Sequence, residues 1–274
     1  MFKFLKKIIR PTHFCPTGVQ KKFSKKNDFL TLKEMEQTIG IIGYGSLGQS
    51  IAKRASELGY KVITSNGDNN QEVASNSDIL AICVKPCKTS DVAEEIRTSI
   101  NGASIVSFMA AVPIARLREE ISPKIQRAMT NLGLDSISCT DGDERITRFC
   151  ETLSRNGVEK TDIESKVDLF TIAIGCLPGI AAWQFEQNAE NADVWLIKWT
   201  SFLQEKTSIA REVFDKIIRE VKEANEYEKT IRRVKTPHGV TEAILDELEA
   251  NTNIDLEELL QSATTRTEEI AKRI

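Results

Sequence analysis

Two hydrophobic patterns divide the chain. Up to about residue 139, short apolar runs recur at 39–42, 61–65, 79–84 and 103–108, with two further runs at 124–129 and 136–139. Each reads as a strand, and the most apolar of them as strands buried on both faces. Residues 46–58 and 89–100 carry apolar positions at helical spacing, and Pro113 opens another predicted helix that ends near Glu120. The segment between Ser65 and Ser77 is polar and short, with room for a loop only. Strands alternating with helices at this spacing predict an α/β fold, a parallel sheet covered by helices on both faces. From about Glu164 the period becomes helical and strands vanish. Helices are predicted over 183–191, 192–204, 208–233, 241–250 and 256–274, with interruptions at Gly175, Pro178-Gly179, Pro237 and Gly239. The stripe Ile209, Val213, Ile217 and Val221 reads as a subunit interface, since a strand-free helical region often needs a partner to cover its faces. Packing within one chain is the alternative.

The first strand runs straight into Gly43-Tyr44-Gly45-Ser46-Leu47-Gly48 and then a helix. That context is the one a dinucleotide fingerprint requires. Gly43 permits a tight turn, Gly45 keeps a Cβ away from a pyrophosphate, and Gly48 lets the helix pack close to the strand. The N–H groups of Ser46 and Leu47 then face the phosphates, aided by the helix dipole. The sequence therefore divides into a basic extension (1–37), a Rossmann-like dinucleotide-binding domain (38–164) and an all-α dimerisation and substrate domain (165–274). Residues 65–66, where the second strand ends, carry no acid to bind an adenosine ribose, which leans towards NADP. NAD is the alternative if Asp68 reaches the ribose.

Charge is uneven. Residues 1–27 hold eight Lys or Arg and no acid; the remainder has 29 basic against 40 acidic groups, a net −11. Nucleic acid is therefore not an expected partner of the body of the protein. The basic head is expected to be a disordered extension ahead of Met35, near which a compact version of the domain would begin. Six scattered cysteines without a Cys-x-x-Cys pair, and only two histidines, argue against a zinc site. Free thiols suit a reducing, cytoplasmic setting. No apolar run approaches the length of a membrane span, so no membrane partner is expected.

Five further segments follow the glycine loop in order: 77–86, ending Val84-Lys85-Pro86; 105–113, containing Ala110 and Ala111; 127–131; 171–178; and 234–241. Together they resemble the pyrroline-5-carboxylate reductase family from about Thr38 to the C-terminus. The resemblance implies NADPH- or NADH-dependent reduction of the cyclic imine 1-pyrroline-5-carboxylate to proline, in a homodimer or larger homo-oligomer built through the C-terminal helices. It implies a cofactor site of Gly43, Gly45, Ser46, Leu47, Gly48, Ser65, Asn66, Asn70, Val84, Lys85, Pro86, Ala110 and Ala111. Asn70 would lie beside the adenosine ribose, and Ala110 and Ala111 beside the nicotinamide. It implies a substrate loop of Thr236, His238, Gly239, Val240 and Thr241, with the N–H groups of residues 239–241 receiving a carboxylate. Thr241 is the catalytic candidate, its hydroxyl beside the ring nitrogen; helix capping is the plainer role for it. The chain departs from the family at Ile174, Cys176 and Leu177, where two serines and a glycine are usual. It also departs at Ile180, at Thr130, and at His238, which replaces a glycine. These departures leave open reduction of another small imine or carboxylate, or a nucleotide-binding regulatory protein without turnover.

Overall fold

The computed structural model describes residues 36–251 and 253–274. The expected basic extension lies almost wholly outside them. Strand β1 (Thr38–Ile42) is buried along its length and pairs in parallel with β2 (Lys61–Ser65) and β3 (Ile79–Ile82). Strand β4 (Ser104–Ser107) and β5 (Gln126–Thr130) continue the parallel array, and β6 (Ile137–Thr140) and β7 (Val158–Thr161) complete the order β2-β1-β3-β4-β5-β6-β7. The alternation of side chains along a strand splits the apolar residues between two cores. Ile39 and Ile41 pack with Ile51 and Ala55 of α1 (Ser46–Glu57) and with Ile146 and Phe149 of α5 (Glu144–Leu153). Ile42, Leu80 and Ile82 pack on the other face. Their partners are α2 (Asn70–Ser75), α3 (Thr89–Ile96) and α4 (Ile114–Glu120), through Val73, Val92, Ile96 and Leu117.

Three expectations need correction. The sheet is not wholly parallel: β5 and β6 pair antiparallel, so β6 and β7 run against the other five. The connection between them, 131–136, is too short for a parallel crossover, which needs a dozen or more residues. It closes instead as a tight turn, with Asp135 N–H donating to Asn131 Oδ1 at 2.9 Å and Asn131 Nδ2 to Asp135 Oδ2 at 2.7 Å. Helix α5 and strand β7 were not foreseen, although Ile146, Phe149, Cys150 and Leu153 stand at i, i+3, i+4 and i+7 behind the N-capping carboxylate of Asp143. Thirdly, 65–77 holds a short helix, α2, rather than a loop alone.

The helical region begins earlier than its interruptions suggest. Helix α6 (Glu164–Phe170) passes through a π-helical turn (Thr171–Gly175) into α7 (Leu177–Gln187). Pro178 is tolerated because it lies in the first turn of α7, where its missing N–H has no helical acceptor to lose. Gly179 is small for packing reasons: a Cβ there would lie 2.7 Å from Val234 Cγ2 and 3.0 Å from Thr241 Cγ2. The whole span Glu164–Gln187 is long and apolar enough to cross a membrane, yet most of it is buried as the central helix of this fold. Around it pack α8 (Ala192–Lys206), α9 (Arg211–Ala224), α10 (Tyr227–Val234), α11 (Val240–Ala250) and α12 (Leu256–Arg273). A left-handed Asn225 separates α9 from α10, where one long helix was expected. The Ile209, Val213, Ile217 and Val221 stripe is buried in this same core, so its reading as a subunit interface is corrected to packing within one chain. Lys216 of α9 pairs with the fully buried carboxylate of Asp135, fastening the helical region to the β5–β6 turn.

Candidate functional site

The carboxyl ends of β1 to β4 form one edge, and the chain reverses its lateral direction between β1 and β3. Open α/β sheets bind ligands at such a switch point. Gly43 follows β1 with φ +94°, and a Cβ on it would lie 2.7 Å from the Cys83 carbonyl carbon. Its N–H donates to the Ser65 carbonyl at 3.0 Å, and the Cys83 N–H to the Ile42 carbonyl at 2.7 Å, so the ends of β1, β2 and β3 are tied together. A Cβ at Gly48 would land on the Gly43 carbonyl oxygen, whereas one at Gly45 would meet nothing within 4 Å. Gly43 thus serves the turn, Gly48 the close packing of helix on strand, and Gly45 leaves the space before the helix open. Gly45 is the N-cap of α1, no side chain caps that helix, and its first turn holds no acid. The N–H groups of Ser46 and Leu47 therefore open onto an uncrowded niche with the positive end of the helix dipole behind it. A diphosphate fits this arrangement by charge and by space.

The remaining cofactor candidates lie along the same edge. Ser65 is buried, its hydroxyl accepting the Gly67 N–H at 3.1 Å; Asn66 is exposed. Asn70 is buried at the start of α2, where its Nδ2 donates to Glu95 Oε2 at 2.5 Å and its Oδ1 has no partner. An acid of α3 thus stands beside Asn70, a contact no local pattern reveals. Val84, Lys85 and Pro86 follow β3, with Lys85 exposed. Ala110 and Ala111 form the turn after β4, and Ala111 is buried in the left-handed region at φ +62°. Two neighbours were not singled out. Tyr44, between two of the glycines, exposes 41% of its surface at the niche. Glu164 of α6 accepts the Ile114 N–H just after the Ala110–Ala111 turn, at 2.6 Å.

The predicted substrate loop is placed elsewhere and is partly self-satisfied. Its helix, α11, packs chiefly on α7 and α12 rather than on the strands that carry the glycine loop. Gly239 is the N-cap of α11, and its N–H donates to the Thr236 carbonyl at 2.8 Å, so one of the three expected carboxylate donors is consumed. Glu242 Oε2 accepts the His238 N–H at 2.6 Å, placing a carboxylate of the chain itself at this helix start. Thr241 does not cap the helix. It is buried, and its hydroxyl donates to Cys176 Sγ at 3.3 Å. Burial pushes the Cys176 thiol up to about 11, partly countered by that hydrogen bond, so it stays neutral at physiological pH. Cys176, one of the departures from the family pattern, is therefore the direct partner of the candidate catalytic hydroxyl. His238 is exposed and has φ +60°. A glycine there would relieve the left-handed strain, at some cost in unfolded-chain entropy. His238→Gly is expected to stabilise the protein by roughly 0.5–1 kcal/mol, seen as a rise of about 1–4 °C in the calorimetric unfolding midpoint. A lowered midpoint would show that the imidazole makes a stabilising contact.

Comparison with known proteins bears on the fold. The family model for the NAD-binding domain of D-isomer-specific 2-hydroxyacid dehydrogenases matches residues 1–93, about a third of the chain. The solved structure of a Plasmodium falciparum pyrroline carboxylate reductase with NADP bound is similar over 86% of this chain and 99% of that one, at 15% identity and a TM-score of 0.50. A Streptococcus pyogenes 1-pyrroline-5-carboxylate reductase matches over 87% and 99% of the two chains, at 17% identity and a TM-score of 0.49. No curated protein matches the chain in sequence. The fold is the one seen in the P. falciparum structure, a Rossmann-like half followed by a helical half. The Rossmann-like half and the helical C-terminal half both have their place in it, as expected from the sequence.

Proposed function

We propose that this protein is an NAD(P)H-dependent reductase of a small cyclic imine, with 1-pyrroline-5-carboxylate as substrate and proline as product. The observation that carries the reading is the uncapped, acid-free N-terminus of α1 at Gly45, built at the switch point of the sheet. The ordered series of family-like segments between residues 38 and 241 and the fold shared with the P. falciparum reductase support it.

A reduced nicotinamide supplies a hydride to an electrophilic carbon when bound. Gly43, Gly45 and Gly48 leave room for the diphosphate, and the N–H groups of Ser46 and Leu47 hold it. The main chain at Val84, Lys85 and Pro86 and the Ala110–Ala111 turn border the nicotinamide end. Thr241 holds the proton at the ring nitrogen; its hydroxyl leaves Cys176 to do so. The N–H groups of Val240 and Thr241 receive the substrate carboxylate, and pairing of two chains through the helical region completes the site. The free thiols among the described residues suit a reducing, cytoplasmic setting, which is part of this proposal. NADPH and NADH remain the two candidate reductants, the first favoured by the acid-free end of β2 and the second by Glu95 beside Asn70.

The test is turnover of 1-pyrroline-5-carboxylate followed by loss of reduced-nicotinamide absorbance, with each cofactor. Thr241→Val, which keeps the packing against Gly179 and removes the hydroxyl, is expected to lower kcat by about 10²-fold or more with little change in stability. An unchanged kcat would return Thr241 to a packing role. A second reading, a nucleotide-binding protein without turnover, is favoured by one observation: Thr236 and Glu242 already occupy two loop donors. Dinucleotide binding with no reduction of any imine would select it.

A further inference from the structure

The Ala110–Ala111 turn is backbone that does not hold itself. Ala111 lies at φ +62°, where a residue with a Cβ pays a conformational cost, and it is 3% exposed. What fixes the turn is found across a junction of three elements. The Ile114 N–H, at the start of α4, donates to Glu164 Oε1 at 2.6 Å. The same oxygen accepts Arg127 Nη1 from β5 at 2.7 Å, and Arg127 Nη2 donates to Asp168 Oδ1 of α6 at 2.7 Å. Arg127 is 1% exposed, so the guanidinium has little access to water and its direction is set by these carboxylates. Ala111, Pro113, Arg127, Glu164 and Asp168 line one cavity of about 230 Å³ with residues of α12. One carboxylate oxygen therefore joins the turn after β4, the buried cation of β5 and the first helix of the C-terminal half.

We infer that Glu164 is a positioning residue for the nicotinamide half of the cofactor. It holds the Ala110–Ala111 turn in its strained conformation by accepting the Ile114 N–H, and Arg127 keeps that acceptor aimed. Because Glu164 belongs to α6, the turn is set only when the helical half is docked on the sheet. The inference rests on the reductase reading, but only on its cofactor part. It predicts a division within the ligand: the diphosphate and adenosine, held at Gly43–Gly48, do not depend on Glu164, and the nicotinamide end does.

The experiment compares full dinucleotides with ligands that lack nicotinamide. Affinities of NADH, NADPH, ADP-ribose and 2′-phospho-ADP-ribose are measured by calorimetry for the wild-type chain, Glu164→Ala and Glu164→Gln. Glu164→Ala is expected to weaken the preferred dinucleotide about tenfold, as loss of a charged acceptor implies, and to leave the matching ADP-ribose within about twofold. Glu164→Gln retains an acceptor for the Ile114 N–H and is expected to restore dinucleotide affinity to within about threefold of wild type. Equal weakening of dinucleotide and fragment, or no weakening of either, overturns the positioning role. If Glu164→Ala does not fold, Glu164→Met, which fills the space but offers the Ile114 N–H no acceptor, takes its place: a loss of about tenfold in dinucleotide affinity with the fragment unchanged upholds the role, and equal effects on the two, or none, overturn it. A wild-type chain that binds none of the four ligands overturns the cofactor reading and this inference together. A chain that binds them all but reduces no imine leaves the inference standing and removes only the proposed reaction.

Discussion

Gly45→Asp weakens dinucleotide binding about 30-fold and leaves the unfolding midpoint where it was or slightly higher. The side chain has room, since a Cβ at this position meets nothing within 4 Å. Aspartate is also a favourable N-cap, and Gly45 caps α1 without a side chain. The cost falls on the ligand alone. A carboxylate would stand where a diphosphate rests, and two like charges about 4 Å apart repel by roughly 4 kcal/mol near a protein surface. Even halved by salt, that is on the order of a 30-fold loss of affinity. Gly48→Ala separates the two roles of the motif. Its Cβ would strike the Gly43 carbonyl oxygen, so the turn itself must move, and the expected cost is about 1–3 kcal/mol of stability as well as binding. Calorimetric titration with NADPH and NADH, alongside thermal unfolding, distinguishes them. Unchanged affinity in Gly45→Asp would remove the niche from the cofactor site.

Arg127→Met destabilises the protein by about 3 kcal/mol, a drop of roughly 6–12 °C in the unfolding midpoint. The guanidinium is enclosed between Glu164 and Asp168, both 2.7 Å away, while those carboxylates keep part of their surface in water. Burial acts against the charge of Arg127, but the ion pairs and hydrogen bonds from Asp168 and Glu164 outweigh it and keep the guanidinium protonated. Methionine of similar length fills the space and leaves two carboxylates facing each other. Adding Glu164→Gln and Asp168→Asn to Arg127→Met removes that repulsion and is expected to recover most of the loss, with a coupling of about 1–3 kcal/mol in the cycle that treats the carboxylate pair as one change and the arginine as the other. A single-variant loss below 1 kcal/mol would mean that the carboxylates find water or another cation when the arginine goes.

The cofactor edge was legible because its signals are local. Gly43 turns the chain at φ +94° and Gly48 lies against the Gly43 carbonyl, and the apolar runs at 39–42 and 79–82 match buried strands. The reversal at β6 was also within reach, since six residues cannot carry a parallel crossover. Helix α5 was missed although its apolar spacing and its capping Asp143 were plain. Burial disfavours the ionised Asp143, yet hydrogen bonds from Ser104 and the Arg145 N–H hold its carboxyl below the usual range, so its stabilising effect is present above about pH 4 and fades as the solution is acidified further. The substrate loop was the least legible part. Its sequence displays free N–H groups and a threonine, whereas Gly239 bonds to Thr236, His238 to Glu242 and Thr241 to Cys176.

By itself the sequence determined that a strand would pass through a glycine turn into a helix, and that strands would give way to helices near residue 164. Periodicity, steric freedom and helix polarity are properties of neighbouring residues, so no other part of the chain is needed to read them. Only the tertiary structure decided that the 209–221 stripe is covered from within, that Glu95 stands beside Asn70, and that Glu164 meets both Ile114 and Arg127. Each of those depends on which elements come to lie together, and the fate of a charge or an apolar face is settled by its neighbours in space.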